Sequence, residues 1–227
     1  MTSFGQVLRG LDWSYLTDLL QQLIPALLCI MIHEICHGAA AYALGDRTAA
    51  TQGRLSLNPL HHIDWFGLLM LAVFHFGWAR PVQVDMRNFR HPKRDMAITA
   101  LAGPVSNFLL SALALFLLGY FYRDLVGSAA GQFVFRLLRY TAILSISLGL
   151  FNLIPIPPLD GSKVLFSFLP DRLYARLMVL ERYGMILLIV LVVVMNRVFE
   201  VSPVAAASGA VYDVFARIAV FADSLRG

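Results

Sequence analysis

The sequence predicts an all-α polytopic membrane protein, and three observations support this fold class. Of the 227 residues, 59% are hydrophobic and 14% are charged, whereas a soluble domain has about 45–50% apolar and about 25% charged residues. The mean hydropathy is +0.70. Several apolar blocks reach the roughly 20 residues that one helical crossing of the hydrocarbon core requires. With loops, this length leaves room for about four to six crossings and no additional soluble domain.

The composition also excludes several other classes of protein. Disorder requires a low apolar fraction, and a disulfide scaffold requires many cysteines, of which this chain has 2. The net charge of +4 does not indicate nucleic acid as a partner, because membrane proteins concentrate Lys and Arg in their cytoplasmic loops. The expected surroundings are therefore a lipid bilayer.

Five apolar blocks, A to E, follow one another along the chain. Blocks A (15–44), C (96–122), D (133–155) and E (177–199) are long enough to span the membrane. Block B (65–79) has about 15 residues, which suits a re-entrant or hairpin segment better than a crossing. Residues 81–85 after it alternate apolar and polar side chains as a β-strand does. Residues 202–227 have apolar side chains at helical spacing, and this segment either lies on the membrane or crosses it.

The distribution of positive charge predicts the orientation of these blocks. If block B does not cross, eleven Lys and Arg residues lie in the A–C and D–E connections, and five lie on the other side. Because cytoplasmic loops carry the excess of Lys and Arg, the C-terminal ends of blocks A and D are predicted to be cytoplasmic. We therefore expect a multi-pass protein of the cell membrane.

Block A contains a charged and polar motif, His33-Glu34-Ile35-Cys36-His37. Two histidines four residues apart lie on one face of a helix, so their imidazoles can bind one zinc ion. Glu34 between them is placed to accept a proton from a zinc-bound water. A carboxylate at membrane depth costs about 2.5–3.5 kcal/mol on insertion scales, so its presence indicates a function or a buried partner. The alternative is that these side chains only form hydrogen bonds between helices.

The end of block D is unusually rich in proline, with the sequence Asn152-Leu-Ile-Pro155-Ile-Pro157-Pro158-Leu159-Asp160-Gly161. Proline fixes φ and lacks an N–H, so the helix must end here. Extended backbone at membrane depth is tolerated only inside protein or beside water. A catalytic zinc has three protein ligands and one open position, and Asp160 is the candidate for the third ligand. The alternative is that the prolines stop the helix and Asp160 caps the next one.

These motifs resemble those of the site-2 protease family of intramembrane zinc metalloproteases. The resemblance rests on His33-Glu34-x-x-His37-Gly38 and on Asn152-x-x-Pro155-x-Pro157-x-Leu159-Asp160-Gly161, with further similarity at 57–64, 77–82 and 102–107. It implies one zinc ion held by His33, His37 and Asp160, with Glu34 as the catalytic base. It also implies a catalytic core of three transmembrane helices, here blocks A, C and D, with a membrane-embedded hairpin at block B.

The function that this resemblance implies is zinc-dependent intramembrane proteolysis. The substrates would be transmembrane segments of other proteins, as in regulated intramembrane proteolysis. The zinc would lie inside the bilayer nearer the cytoplasm, because His37 and His33 precede the end of block A by about 10 and 16 Å. The chain resembles a minimal form without a PDZ or CBS domain. Residues 1–227 would form one protease domain, with a core at about 15–161 and C-terminal helices at about 172–227.

Three further polar residues are candidates for substrate binding. Asn107 and Asn152 lie in apolar helices, where the family pattern suggests contact with the substrate backbone or the oxyanion, and hydrogen bonding between helices explains them equally well. His62 either approaches the site through the loop of block B or is an interfacial histidine. Close backbone approach is expected at three glycines, Gly38, Gly103 and Gly161.

Two other functions could use the same residues. A metal-ion transporter would bind its cargo with two histidines and an aspartate, but internal repeats and a continuous polar path would then be expected, and neither is evident in the sequence. A catalytically silent metal-binding scaffold that holds membrane partners is compatible with everything except the intact catalytic set.

Overall fold

The structure, a computed structural model, describes residues 13–62, 64, 80–179, 183, 184, 186–188, 190, 194 and 203–226. Within these residues the chain is helical, with short 3-10 turns at Pro59–His61 and Met86–Asn88. The α-helices in chain order are α1 (Trp13–Ala43), α2 (Thr48–Thr51), α3 (Pro92–Tyr120), α4 (Tyr122–Val126), α5 (Ala129–Asn152), α6 (Asp160–Ser167), α7 (Asp171–Met178) and α8 (Pro203–Ser224).

Four helices in the described part of the chain are long and apolar enough to cross a membrane. They are α3, α5, α8 and residues Thr17–Ala43 of α1. The predicted blocks A, C and D are therefore confirmed as helices, and the undecided C-terminal segment is a fourth. The all-α fold class is confirmed, and we describe the chain as a multi-pass membrane protein.

Helix α3 lies at the centre of this bundle. It packs against α1, α5, α6 and α8, and it approaches α8 so closely that a Cβ on Gly119 would lie 2.0 Å from the carbonyl oxygen of Ala219. On the same side Ala114 and Leu115 are buried with Ala142 of α5 against aromatic and small side chains of α8. The central position of α3 lets it contact both elements that carry the predicted metal ligands.

Helix α8 runs parallel to α3. The rings of Phe108 and Phe215 lie 6.3 Å apart. Further along both segments in the same direction, the Arg226 guanidinium lies 5.2 Å from the ring of Tyr120. Helix α5 is antiparallel to α3, because Gly149 lies against Pro104 and the earlier residue Ala142 packs with Ala114. Pro203 and Asn152 therefore lie at the same end of the bundle. Most of block E, which lies between these two residues in the sequence and is long enough to span the membrane, lies outside the described residues.

Block B, with its predicted re-entrant or hairpin segment, also lies outside the described residues. The alternating residues 81–85 are described, and no strand is formed there. The segment is extended at Asp85, with φ −105° and ψ 107°, but two of its N–H groups donate to carboxylates instead of a neighbouring strand. Val82 donates to Glu34 at 2.8 Å and Asp85 donates to Asp46 at 2.8 Å. The alternating pattern thus corresponds to an extended backbone at Asp85, and residues 81–85 do not form a β-strand.

Candidate metal centre

The two histidines of α1 share one face of the helix, as their spacing predicts. The Nε2 atoms of His33 and His37 lie 2.9 Å apart, and the two residues are 4% and 8% exposed. Both lie within the apolar part of α1 that is long enough to span a membrane. The helix therefore places two potential metal ligands side by side in a segment that is apolar enough to cross a membrane.

Asp160 joins the histidines from the first turn of α6. Helix α5 ends at Asn152, the proline-rich segment follows, and Leu159 is extended with φ −70° and ψ 153° before α6 begins at Asp160. Its Oδ2 atom lies 3.1 Å from the Nε2 of His33 and 3.1 Å from the Nε2 of His37. The N-cap of α6 is Leu159 and no side chain makes a cap hydrogen bond there, so the interpretation of Asp160 as a helix cap was wrong. The Asp160 side chain faces the histidines, as expected of a third ligand.

The hydrogen bonding around these residues suits a bound cation. The Nδ1 of His37 lies 2.7 Å from the carbonyl oxygen of Thr99 and can only donate to it, so the neutral ring carries a lone pair at Nε2. That lone pair faces the Oδ2 of Asp160, which also only accepts when ionised. Converging acceptors repel one another unless a cation or a proton lies between them. The three side chains together could hold a metal ion, since ligand atoms of a tetrahedral zinc lie about 3.3 Å apart.

Gly103 allows the central helix to approach both imidazoles. A Cβ at this position would lie 2.5 Å from the Cε1 and Nε2 of His37 and 2.6 Å from the Cε1 of His33. Ordinary carbon contacts are about 3.5–4.0 Å, so no other residue fits here without displacing the rings. Close approach is confirmed at the other two predicted glycines as well. A Cβ on Gly38 would lie 2.7 Å from the Leu55 side chain, and one on Gly161 would lie 2.2 Å from the carbonyl oxygen of Leu153.

Glu34 lies beside the histidines and lines the same cavity. This cavity has a volume of about 270 Å³, and its other walls include Pro81, Val82 and Lys163. One carboxylate oxygen of Glu34, Oε2, accepts a hydrogen bond from the N–H of Val82 at 2.8 Å. The extended segment therefore holds the carboxylate at the cavity, where a water or a substrate carbonyl could reach it.

A second carboxylate, Asp46, fixes the other end of the same extended segment. Asp46 is completely buried and accepts hydrogen bonds from the backbone and hydroxyl of Thr48, from the N–H of Asp85 and from the amide of Asn88. Burial raises the pKa of Asp46, but these hydrogen bonds lower it by more, so the pKa lies below its ordinary value. Glu34 within α1 and Asp46 in the loop after it together hold residues 82–85 against this helix.

The three candidates for substrate binding lie in different surroundings. Asn152 lines the cavity, and its amide donates to the carbonyl oxygen of Leu148 at 3.0 Å. Asn107 is completely buried, and its amide lies 3.1 Å from the Nδ1 of His33, which fits the interpretation as a bond between helices. His62 is buried in the loop after α2, where its Nε2 lies 2.8 Å from the carbonyl oxygen of Ser56, and it is not among the residues that line this cavity.

Lys163 is a residue of the site that the sequence analysis missed. Its Nζ lies 3.6 Å from the Oδ1 of Asp160, the oxygen that does not face the histidines, and it lines the cavity. The ammonium group therefore favours the orientation in which Asp160 presents Oδ2 to the two rings. The sequence signal was available, because position 163 is one helical turn after Asp160.

Comparison with known proteins agrees with this chemistry. The model of peptidase family M50 matches residues 119–195. The chain is 38% identical over 174 residues to the candidate zinc metalloprotease YwhC of Bacillus subtilis, an alignment that covers 75% of this chain and 78% of that protein. It is 29% identical over 179 residues to the candidate zinc metalloprotease Rip2 of Mycolicibacterium smegmatis, which covers 76% of this chain and 67% of that protein.

A shorter similarity links the chain to a larger protein. It is 37% identical over 75 residues to the zinc metalloprotease RasP of Bacillus licheniformis, and the alignment covers 33% of this chain and 14% of that protein. No solved structure matches the chain.

Proposed function

Because this chain belongs to peptidase family M50, the site-2 protease family, we propose that it hydrolyses peptide bonds inside the membrane-spanning segments of other proteins. The chain is a zinc metalloendopeptidase. The observation that carries the proposal is the location of the ligand triangle. The three ligand atoms lie 2.9–3.1 Å apart, and two of them belong to a helix that is apolar enough to span a membrane.

The proposed roles follow from what each side chain contacts. His33, His37 and Asp160 hold the zinc ion. When bound, zinc polarises the scissile carbonyl and lowers the pKa of a water molecule. Glu34 accepts the proton of that water and passes it to the leaving amine. The hydrogen bond from Val82 to Oε2 supports this role, because it orients the carboxylate while Oε1 makes no hydrogen bond to the described residues.

Substrate binding is proposed along the extended segment that contacts Glu34. A transmembrane helix hides its carbonyl groups in hydrogen bonds to residues four positions along, so it must unwind before hydrolysis. Gln83 and Val84 make no backbone hydrogen bonds to the described residues, which leaves an edge on which an unwound substrate can pair as an added strand. Asn152, at the cavity wall, is proposed to contact the substrate backbone.

The orientation of the site in the cell membrane is part of the same proposal. The eleven-to-five distribution of Lys and Arg favours a cytoplasmic location for the ends of α1 and α5. His37 lies about 9 Å from Ala43 along α1, so the active site is proposed to lie within the bilayer nearer the cytoplasm. We also propose that residues 1–227 form one protease domain, which is supported by the packing of α8 against α3 and α5.

The test is cleavage by the purified protein, in detergent and in liposomes, of a library of single-pass transmembrane peptides, with a set of soluble peptides for comparison. We expect products whose new termini, mapped by mass spectrometry, lie within the apolar segment, and we expect a chelator to abolish them. Glu34→Gln should lower the rate by about 10²–10⁴-fold, the usual contribution of a general base, while zinc stays bound. Products only from soluble peptides would contradict the membrane substrate.

Cleavage, zinc binding and zinc uptake into sealed liposomes, measured on the same purified protein, separate the alternatives. A catalytically silent scaffold would bind zinc without forming products in any membrane, and a metal-ion transporter would move zinc into sealed liposomes. Cleavage at wild-type rate by Glu34→Gln would contradict the assignment of Glu34 as the base.

A further inference from the structure

Helix α3 presents a row of groups to the two histidines at intervals of four residues. Thr99, Gly103 and Asn107 lie on one face of the helix because four residues make about one turn. The Thr99 carbonyl oxygen lies 2.7 Å from the Nδ1 of His37, and the Asn107 amide lies 3.1 Å from the Nδ1 of His33. Gly103 lies between these contacts, directly against both rings. One helix thus contacts the same ring atom of both histidines.

This arrangement determines which ring nitrogen of His37 carries the proton. A backbone carbonyl only accepts hydrogen bonds, so the proton is on Nδ1, and Nε2 keeps its lone pair toward Asp160. His33 must have the same tautomer if its Nε2 is to bind the same metal ion. Its Nδ1 then needs an acceptor, and Asn107 is the group in contact with it.

The orientation of the Asn107 amide is a choice between two nearly identical shapes. With the nitrogen toward His33, the side-chain oxygen is completely buried and has no hydrogen-bond partner among the described residues. Turning the amide by 180° places the oxygen against Nδ1 of His33, where it accepts the proton of the ring. The nitrogen then occupies the place of the oxygen. Neither orientation gives every amide atom a hydrogen-bond partner among the described residues, so the count of hydrogen bonds does not distinguish them. The orientation with the oxygen toward His33 is the one that supplies the acceptor that Nδ1–H requires.

We propose that Asn107 is a positioning residue that accepts a hydrogen bond from Nδ1–H of His33 and so fixes the tautomer in which Nε2 binds zinc. The inference rests on the proposed function only in taking His33 as a zinc ligand. It gives Asn107 a role that differs from contact with the substrate. Partners of metal-bound histidines typically change metal affinity by about 10- to 100-fold when they are removed.

The experiment measures zinc affinity of the full chain in detergent, by competition with a chromogenic chelator after removal of bound metal. Asn107→Leu keeps the volume and removes the acceptor, so we expect zinc to bind about 10- to 100-fold more weakly. Asn107→Asp keeps an acceptor, and its affinity should stay within about threefold of wild type, as expected where a carboxylate can orient the histidine. The visible spectrum of the Co²⁺-loaded protein should change in the Leu variant and be retained in the Asp variant.

Ser111→Ala is the matched control. Ser111 follows Asn107 by one turn of α3 and is completely buried, and its hydroxyl group has no hydrogen-bond partner in the described part of the chain. Its removal should leave zinc affinity unchanged. Equal affinities of Asn107→Leu and Ser111→Ala, or an Asp variant as weak as the Leu variant, would overturn the proposal.

A second measurement uses the wild-type chain and does not depend on the folding of any variant. The ¹⁵N chemical shifts of the histidines in the zinc-loaded protein, assigned by correlation with the backbone resonances, report which ring nitrogen carries the proton. We expect Nδ1–H for His33, and a proton on Nε2 would overturn the inference. If the wild-type chain binds no zinc, the proposed function fails, whereas zinc binding that is indifferent to Asn107 contradicts only the positioning role.

Discussion

Replacement of Gly103 by alanine is the most direct test of the close contact between α3 and the two histidines. The added methyl group would lie 2.5 Å from two atoms of the His37 ring and 2.6 Å from the His33 ring. Because carbon contacts are normally about 3.5–4.0 Å, the rings or the helix must move by about 1 Å. A functional site tolerates displacements of only about 0.5 Å, so metal binding should weaken.

The size of the effect follows from the cost of overpacking. One extra methyl group in a tightly packed interior costs about 1–3 kcal/mol. In the metal-free protein the rings can rotate away from the methyl group, whereas bound zinc holds them in place. If the full cost falls on the zinc-bound state, zinc binds about 5- to 150-fold more weakly.

The assay compares zinc affinity and thermal unfolding of Gly103→Ala with those of Gly209→Ala in the same detergent. Gly209 is also helical, and a Cβ there would meet nothing within 4 Å, so alanine should leave zinc affinity unchanged and favour the helix. The zinc-dependent increase in melting temperature should shrink for the Gly103 variant only. Wild-type zinc affinity in Gly103→Ala would refute the contact geometry from which this expectation is derived.

Four further tests concern the metal ligands, the buried carboxylate Asp46, the orientation of the chain in the membrane and the choice of substrate. Asp160→Ala should lower zinc content in metal analysis, because one of three ligands is lost, and full occupancy would mean that another residue is the third ligand. The lowered pKa of Asp46 means that its ionised form stabilises the fold above the ordinary pKa of about 3.9 and that this stability is lost as pH falls through the folded-state pKa. Asp46→Asn should therefore melt lower at pH 7 and show a flatter dependence on pH below about 5, and identical slopes would contradict this. In a Cys36→Ala background, an impermeant maleimide added to intact cells should label Gly127→Cys and spare Arg90→Cys, and the reverse pattern would overturn the orientation. Gly or Pro placed near the scissile bond of a substrate should raise the cleavage rate, because they cost a helix about 1 and 3 kcal/mol relative to Ala, and rates that follow a side-chain motif instead would argue against unwinding as the limiting step.

The long helices could be predicted from hydropathy, but their first turns could not. Block C was expected from residue 96, and α3 begins at Pro92 because Lys93, Arg94 and Asp95 are helical without being apolar. Block D was expected from residue 133, and α5 begins at Ala129 after Ser128, whose side chain accepts the N–H of Gly131. The start of a helix depends on the hydrogen bonds of its cap, and the hydropathy pattern contains no information on these bonds. The end of α5 at Asn152 agrees better with the expectation, because proline stops a helix by its own geometry.

The candidate site shows the same division between local and long-range information. The spacing of His33 and His37 places them on one face without any knowledge of the fold. The proximity of Asp160 to these rings could be inferred only indirectly. Proline-rich backbone and a carboxylate are both costly in an apolar segment unless they are buried against protein or water. The hydrogen bond between Asn107 and His33 and the attachment of Asp85 to Asp46 depend on how helices and loops are rotated relative to one another. No local pattern in the sequence specifies that rotation.

Helix α8 lies outside the three helices α1, α3 and α5, and its packing bears on the geometry of the site. Helix α3 contacts the histidines on one face, so the precision of that contact depends on what supports its other faces. The opposite support comes partly from α8, where Phe215 meets Phe108 and the backbone of Ala219 meets Gly119. The Arg226 side chain then hydrogen-bonds to the carbonyl oxygen of Tyr120 at the end of α3. Helices that pack through small residues approach closely, and a close-packed interface resists displacement. We therefore expect α8 to support α3 in the position where its Thr99–Asn107 face contacts both imidazoles.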